Sequence, residues 1–241
     1  MQNFTFTIRT FKAVDDPAAC QKYIAGHSRI LQVFGLSMIT SANPTWVNDP
    51  DTHVITVESA DGSRIYGGGR IQIASGRLPL PIQTAIGNKE PAIHEVIHRF
   101  AQKGTGEICG LWNAREMAAN GIGSLHLGRA IVAVAGQLNL TSLFALCAPA
   151  TVKNCLQVGF EVAGFLGRGG QLIYPKDHLL ATAMLIRDLQ RLPAASARDR
   201  EIIADLRNKP SQERTEPGIK GHLLTISYQL NADPVPAYCV A

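Results

Sequence analysis

Apolar and polar residues alternate through the first stretch of the chain, MQNFTFTIRTF, with the two-residue period of a half-buried strand. Asp16-Pro17 then reads as an N-cap followed by the first helical position. Tyr23, Ile24, Ile30, Leu31 and Phe34 form one apolar stripe that stops at Gly35, which predicts an amphipathic helix. From Thr52 to Ser75 two strand-like runs, THVITV and RIYGGGRIQI, flank Ala60-Asp61-Gly62-Ser63 and predict a hairpin. Its triple glycine, Gly67 to Gly69, predicts a bulge or a close approach of backbone. Leu78-Pro79-Leu80-Pro81 interrupts regular structure, and Pro91 opens a helix running to about Lys103 before the break at Gly104-Thr105-Gly106.

Between Gly106 and Phe160 the pattern reads as a short strand (EICGLW), a glycine turn (ANGIGS), an apolar helix, a second strand (LFALCA) and a helix closing on Gly159-Phe160. Beyond it EVAGFLG, QLIY and LLATAMLI read as strands, which completes a mixed α/β sheet. From Arg187 the chain is more charged: a helix over ARDREIIADL, a polar loop over NKPSQERTEPG, and a last strand, HLLTISYQL. The division expected is one domain over residues 1–189, with 190–241 as an α/β extension on the same core. No repeat or low-complexity segment is visible.

Composition narrows the setting. A chain of 241 residues with 46% hydrophobic residues can bury a substantial core. The net charge of +4 is scattered, without a basic run interleaved with aromatics, so no nucleic-acid partner is expected, whereas a mild positive field suits an anionic ligand. The beginning of the chain lacks the charged head and apolar segment of a signal peptide, and the apolar run around Ala130 to Ala135 is too short to span a bilayer, so no membrane partner is expected. Five cysteines without CxxC spacing argue against a disulfide framework and for a reducing, cytoplasmic setting.

The chemistry concentrates in the glycine turn. Gly121 and Gly123 lack side chains, so backbone N–H groups of residues 119 to 124 can approach an anion, and a helix starting there adds the positive end of its dipole. A plain glycine turn leading into a core helix would carry the same residues.

The order strand, helix, hairpin, strand, glycine turn and helix, strand, helix ending in Gly-Phe resembles the GNAT superfamily of acyl-CoA-dependent N-acyltransferases, over roughly residues 4 to 187. The resemblance implies a mostly antiparallel central sheet flanked by helices, acetyl-CoA or another acyl-CoA as donor, and a small-molecule amine as acceptor. A homodimer is one assembly it allows. Gly121 and Gly123 match the family's Arg/Gln-x-x-Gly-x-Gly/Ala turn, with Ala118 at the Arg/Gln position, so the resemblance gives Asn120, Gly121, Ile122, Gly123 and Ser124 to the cofactor pyrophosphate. The family's fourth strand is splayed from its fifth, and the backbone of Leu111, Trp112 and Asn113 falls there, to polarise the thioester carbonyl. Glu107 on the same strand is the candidate base for the amine, or else a solvated strand-end charge. Cys155 stands where the family often has the tyrosine that protonates the departing thiolate, and reads otherwise as a small buried helix residue. Transfer in this superfamily is direct attack, so the absence of a nucleophile triad among the scattered histidines excludes nothing.

A second resemblance, to the acyl-homoserine-lactone synthases, lies in NDPDTHVITV and GGGRI. Asp51, Arg70 and Glu107 match that branch's acidic residues, Gly-x-x-Arg and Glu-x-x-Arg, with Gly110 where the last arginine belongs. Asp51 and Arg70 are therefore the substrate-binding candidates, their alternative being a turn acid and a surface arginine. His94-Glu95-Val96-Ile97-His98 has the HExxH spacing of zinc enzymes, but Arg99 follows it and no third histidine stands at family spacing, so no metal site is expected. Three functions follow: an N-acyltransferase, most simply an acetyltransferase; a lactone-synthase-like transferase of longer acyl groups; and a GNAT-fold protein that binds without catalysis.

Overall fold

A computed structural model describes residues 4–36, 39–116, 124–218 and 223–235 of the protein. The strands of the described residues are β1 (Phe4–Lys12), β2 (Thr52–Ser59), β3 (Ile65–Ile73), β4 (Thr105–Asn113), β5 (Ser142–Cys147), β6 (Glu161–Val162), β7 (Gln171–Ile173), β8 (Leu180–Ile186), β9 (Ser211–Pro217) and β10 (Leu223–Gln229). They form a single sheet in the order β6-β8-β5-β4-β3-β2-β1-β10-β9, with β7 also on β8. Only β4 with β5 and β1 with β10 are parallel. Among the described residues no helix is long and apolar enough to cross a membrane.

Local chemistry explains the predicted elements. Helix α1 (Pro17–Val33) starts where Asp16 Oδ1 accepts the Ala19 N–H at 2.9 Å, and ends where Gly35 takes φ +65° while Leu36 N–H reaches back to Leu31. The hairpin β2–β3 turns through Gly62 at φ +68°. Helix α3 (Ala92–Ala101) sits within its expected bounds, and α5 (Pro149–Gln157) closes on Gly159 at φ +104°.

Three expectations need correcting. Of EVAGFLG only Glu161–Val162 is strand, β6, and the chain turns from Gly164 onward. The Leu78–Pro81 interruption leads into a short helix, α2 (Pro81–Ile86), whose preceding Leu80 is fully buried. The polar loop NKPSQERTEPG contains β9, in which Gln212, Arg214 and Glu216 alternate inward against exposed Ser211, Glu213 and Thr215. The strand's period of two is present, but charged residues occupy the inner face, so hydropathy does not register it.

Helices α4 (Ser124–Gln137) and α6 (Ala197–Asn208) cover one face of the sheet, over a core that includes Ile8, Ile55, Ile131, Val134 and Ile226. On the other face α1 packs over Tyr23, Trp46, Val54 and Trp112, and α2 with α3 over Ile82, Val96, Phe144 and Leu166. A buried ionic cluster ties α4 to the later elements. Arg129 Nε meets Asp199 Oδ1 at 2.7 Å, its Nη1 meets Glu216 Oε2 at 2.9 Å, and Tyr228 donates to Glu216 Oε1 at 3.1 Å. Arg214 bridges Glu216 and Asp205.

Candidate active site

The centre of the sheet splits. β4 and β5 pair from Thr105↔Ser142 to Ile108↔Ala145, after which β4 continues to Asn113 paired with β3 and β5 continues to Cys147 paired with β8. From Cys109 onward the β5-facing edge of β4 therefore has no strand partner among the described residues. A bulge marks the departure: Gly68↔Trp112 and Arg70↔Cys109 bracket an extra residue in β4, and Gly110 takes φ +61°.

The residues expected along this edge diverge in their roles. Trp112 is buried toward α1, so close to Gly26 that a Cβ there would lie 2.1 Å from its ring. Leu111 points to the opposite face, where a Cβ on Gly69 would meet its Cδ1 at 2.7 Å. Asn113 Nδ2 donates to Ser124 Oγ at 2.9 Å, joining the end of β4 to the first turn of α4. Asn120, Gly121, Ile122 and Gly123 lie outside the described residues.

A cleft of about 330 Å³ opens over β3, walled by Thr40, Asn43, Trp46, Arg70, Gln72 and Pro81 among others. Arg70 is no surface arginine, being only 1% exposed. Its guanidinium stands 4.8 Å from the Trp46 ring centre, and Nη1 donates to the Ser41 carbonyl at 2.9 Å. Its Nε is buried without a hydrogen-bond partner. Among the described residues no carboxylate pairs with Arg70 at salt-bridge distance. His27, the nearby imidazole on α1, has its pKa lowered to about 4 by burial and by the Arg70 charge, so it adds no second cation near neutral pH. Asp51 is also buried, with its carboxylate on Arg77 Nε at 2.9 Å.

Glu107 is likewise not the solvated strand-end charge that its position allowed. It is 2% exposed, and its Oε2 accepts the Ile82 N–H at 2.7 Å from the first turn of α2. Burial pushes its pKa up to about 8, against the opposing pull of that hydrogen bond and of the Arg70 charge. Its cross-strand partner Gln72, and Pro81 next to its hydrogen-bond donor, both line the cleft. Gln72 is itself fixed by donating to the Pro79 carbonyl at 2.9 Å.

Cys155 lies on α5 with its Sγ 3.4 Å from Cys147 Sγ at the end of β5. That contact, with burial, raises the Cys155 pKa, while the same contact lowers that of Cys147. The HExxH residues face elsewhere: His94, Glu95 and His98 are exposed on α3, with Glu95 3.9 Å from Arg99. Among the described residues no three potential ligands converge on a metal position.

Trp46, Ser41, Gln72 and Tyr23 were not singled out as site residues from sequence. Trp46 lies in a single 3-10 turn and Ser41 contributes only a carbonyl, neither of which leaves a periodic signal. Gln72 held a readable clue, as a polar residue two positions from Arg70 on one strand face.

No protein-family model matches the sequence, and no curated protein is significantly similar to it. Solved structures are similar in fold. FeeM, an N-acyl amino acid synthase from uncultured soil microbes, aligns with a TM-score of 0.59 and 14% identity over 81% of this chain and 97% of its own. BjaI, a CoA-dependent acyl-homoserine lactone synthase solved with SAM and isopentyl-CoA, aligns with a TM-score of 0.53 and 13% identity over 92% of this chain and 94% of its own. MesI, another CoA-dependent acyl-homoserine lactone synthase, gives 0.50 and 13% over 90% and 98%. The mixed, mostly antiparallel sheet flanked by helices that was expected from the order of elements is the fold found, and these structures share it.

Proposed function

We propose that this protein is an acyl-CoA-dependent N-acyltransferase whose acceptor is a small amine carrying a carboxylate. The observation that carries the reading is Arg70: a buried guanidinium with no carboxylate partner among the described residues, on the wall of a cleft over β3, the strand that pairs with β4. An unpaired buried charge is costly, and an anionic ligand group would offset that cost through charge-assisted hydrogen bonds. FeeM's description as an N-acyl amino acid synthase agrees with such an acceptor.

In this reading the donor lies in the split between β4 and β5, along the backbone of Leu111, Trp112 and Asn113, with its pyrophosphate at Asn120, Gly121, Ile122, Gly123 and Ser124. Glu107, with its pKa near 8, takes the amine proton through water. The nitrogen attacks the thioester carbon, the oxyanion is held by β4 backbone N–H groups, and the C–S bond breaks to give amide and free CoA. Cys155, at the position of the family's acid, is the candidate proton source for the departing thiolate, a transfer that its raised pKa opposes. Lactone formation, as in the acyl-homoserine-lactone synthases, is the weaker reading. Gly110 replaces that branch's arginine, and a Cβ there would lie 2.5 Å from Tyr23 Oη and 2.7 Å from Arg70 Nη1.

The test is release of free thiol from acetyl-CoA and longer acyl-CoAs, with amino acids and their decarboxylated amines as paired acceptors. Amino acids should turn over at least 10-fold better by kcat/KM. Arg70→Met should erase that preference by raising KM for the carboxylate-bearing member. Equal use of both members of each pair would refute the assignment of Arg70, and no thiol release with any pair would refute the transferase reading.

A further inference from the structure

The bulge in β4 is held from the far side of the sheet. Tyr23, fully buried in the middle of α1, donates its hydroxyl to the Gly110 carbonyl at 2.5 Å. A buried carbonyl on a strand that has left its neighbour must find another donor, and here a helix supplies it. The surroundings are cut to fit this one side chain. A Cβ on Gly68 would lie 3.0 Å from the Tyr23 ring, and one on Gly110 would lie 2.5 Å from its hydroxyl. Trp46 meets the ring edge-on at 5.7 Å between centroids, and Trp112 flanks it at 6.1 Å. Burial raises the phenol's pKa, so the hydroxyl keeps its proton throughout the working range.

We propose that Tyr23 is a positioning residue, whose hydrogen bond to Gly110 sets the bulge of β4 and thereby aims the strand's open edge, Leu111 to Asn113, into the split between β4 and β5. Its consequence for turnover rests on the transferase reading above; its consequence for the strand does not. The bond holds the Gly110 carbonyl toward α1. It also acts within reach of Arg70, since the same space above Gly110 is bounded by Tyr23 Oη and Arg70 Nη1. One hydroxyl thus registers the donor strand against the acceptor-binding guanidinium.

Tyr23→Phe removes the hydroxyl and keeps the ring. Amide hydrogen exchange on the full chain should quicken at least 10-fold at residues 109–113, with β2 amides unchanged. Unaltered protection of that segment overturns the proposal, and so does an equal quickening everywhere, which would make Tyr23 only a stabilising residue. In thiol-release kinetics kcat should fall at least 30-fold, with donor Kd and acceptor KM within 3-fold of wild type. A kcat within 3-fold of wild type also overturns it. Gly110→Ala, which perturbs the bulge from the strand side, should reproduce the kcat loss, and the double variant should be no worse than either single one. Additive losses would overturn a shared action. Wild-type protein without turnover would fail the transferase reading alone, and the exchange result would still decide whether Tyr23 sets the strand.

Discussion

Glu107→Gln should flatten one component of the protein's pH-dependent stability. The carboxyl is buried at the sheet centre, with one backbone N–H for a partner at 2.7 Å and the Arg70 charge nearby, and burial outweighs both. A carboxyl whose folded pKa is about 8 binds its proton more tightly folded than unfolded, where the value is near 4.5. The sign follows directly: its contribution is fully present below pH 4.5 and is lost as the pH rises to about 8, at ~1.4 kcal/mol for each pH unit. Glutamine keeps an oxygen to accept the Ile82 N–H and has no proton to lose. Urea unfolding of wild type and variant from roughly pH 5.5 to 8.5 should therefore show the wild type losing about 3–4 kcal/mol relative to the variant. Titrations shared by both proteins cancel in that difference. A difference independent of pH would refute the argument, and one that grew in favour of wild type with rising pH would mean that pairing with Arg70 outweighs burial. Catalysis reads the same proton: kcat should climb with pH toward a plateau above about 8, and Glu107→Gln should lose at least roughly 100-fold.

Two further outcomes test other parts of the molecule. Arg129→Met strips Asp199 of its cationic partner and leaves Glu216 with Arg214, a break in a buried ionic cluster that should cost about 3–5 kcal/mol in urea unfolding; a loss below ~1 kcal/mol would show that the cluster is solvated. Cys155→Ala should lower kcat roughly 10-fold or more while leaving acyl-CoA affinity unchanged, if the Cys155 thiol protonates the departing sulfur; an unchanged kcat would remove it from the mechanism.

Much of the sheet was legible because its strands follow the period of their buried faces. The N-terminal strand, the hairpin and the helices over Pro17–Val33 and Ala92–Ala101 all carry both an apolar period and a terminator. What escaped was structure whose signal is not apolar. β9 keeps its alternation, but Arg214 and Glu216 take the inward positions that valine or isoleucine would hold, because they meet Arg129, Asp205 and Tyr228. A strand of this sort becomes visible only once its partners are known. The same logic applies to the site. Arg70 and Glu107 were found as residue types at a spacing, yet what makes them chemically distinctive is burial, which composition cannot carry. The triple glycine at 67–69 was readable as a sign that something approaches the backbone closely. That something is Tyr23, which belongs to the apolar stripe of α1 and looks from sequence like any other core aromatic. Gly110 thus has a cause of its own. A Cβ there would lie 2.5 Å from the hydroxyl of the tyrosine that holds the strand, so Gly110 and Tyr23 are one structural choice, and in the reaction proposed above recognition of the acceptor's anion falls to Arg70.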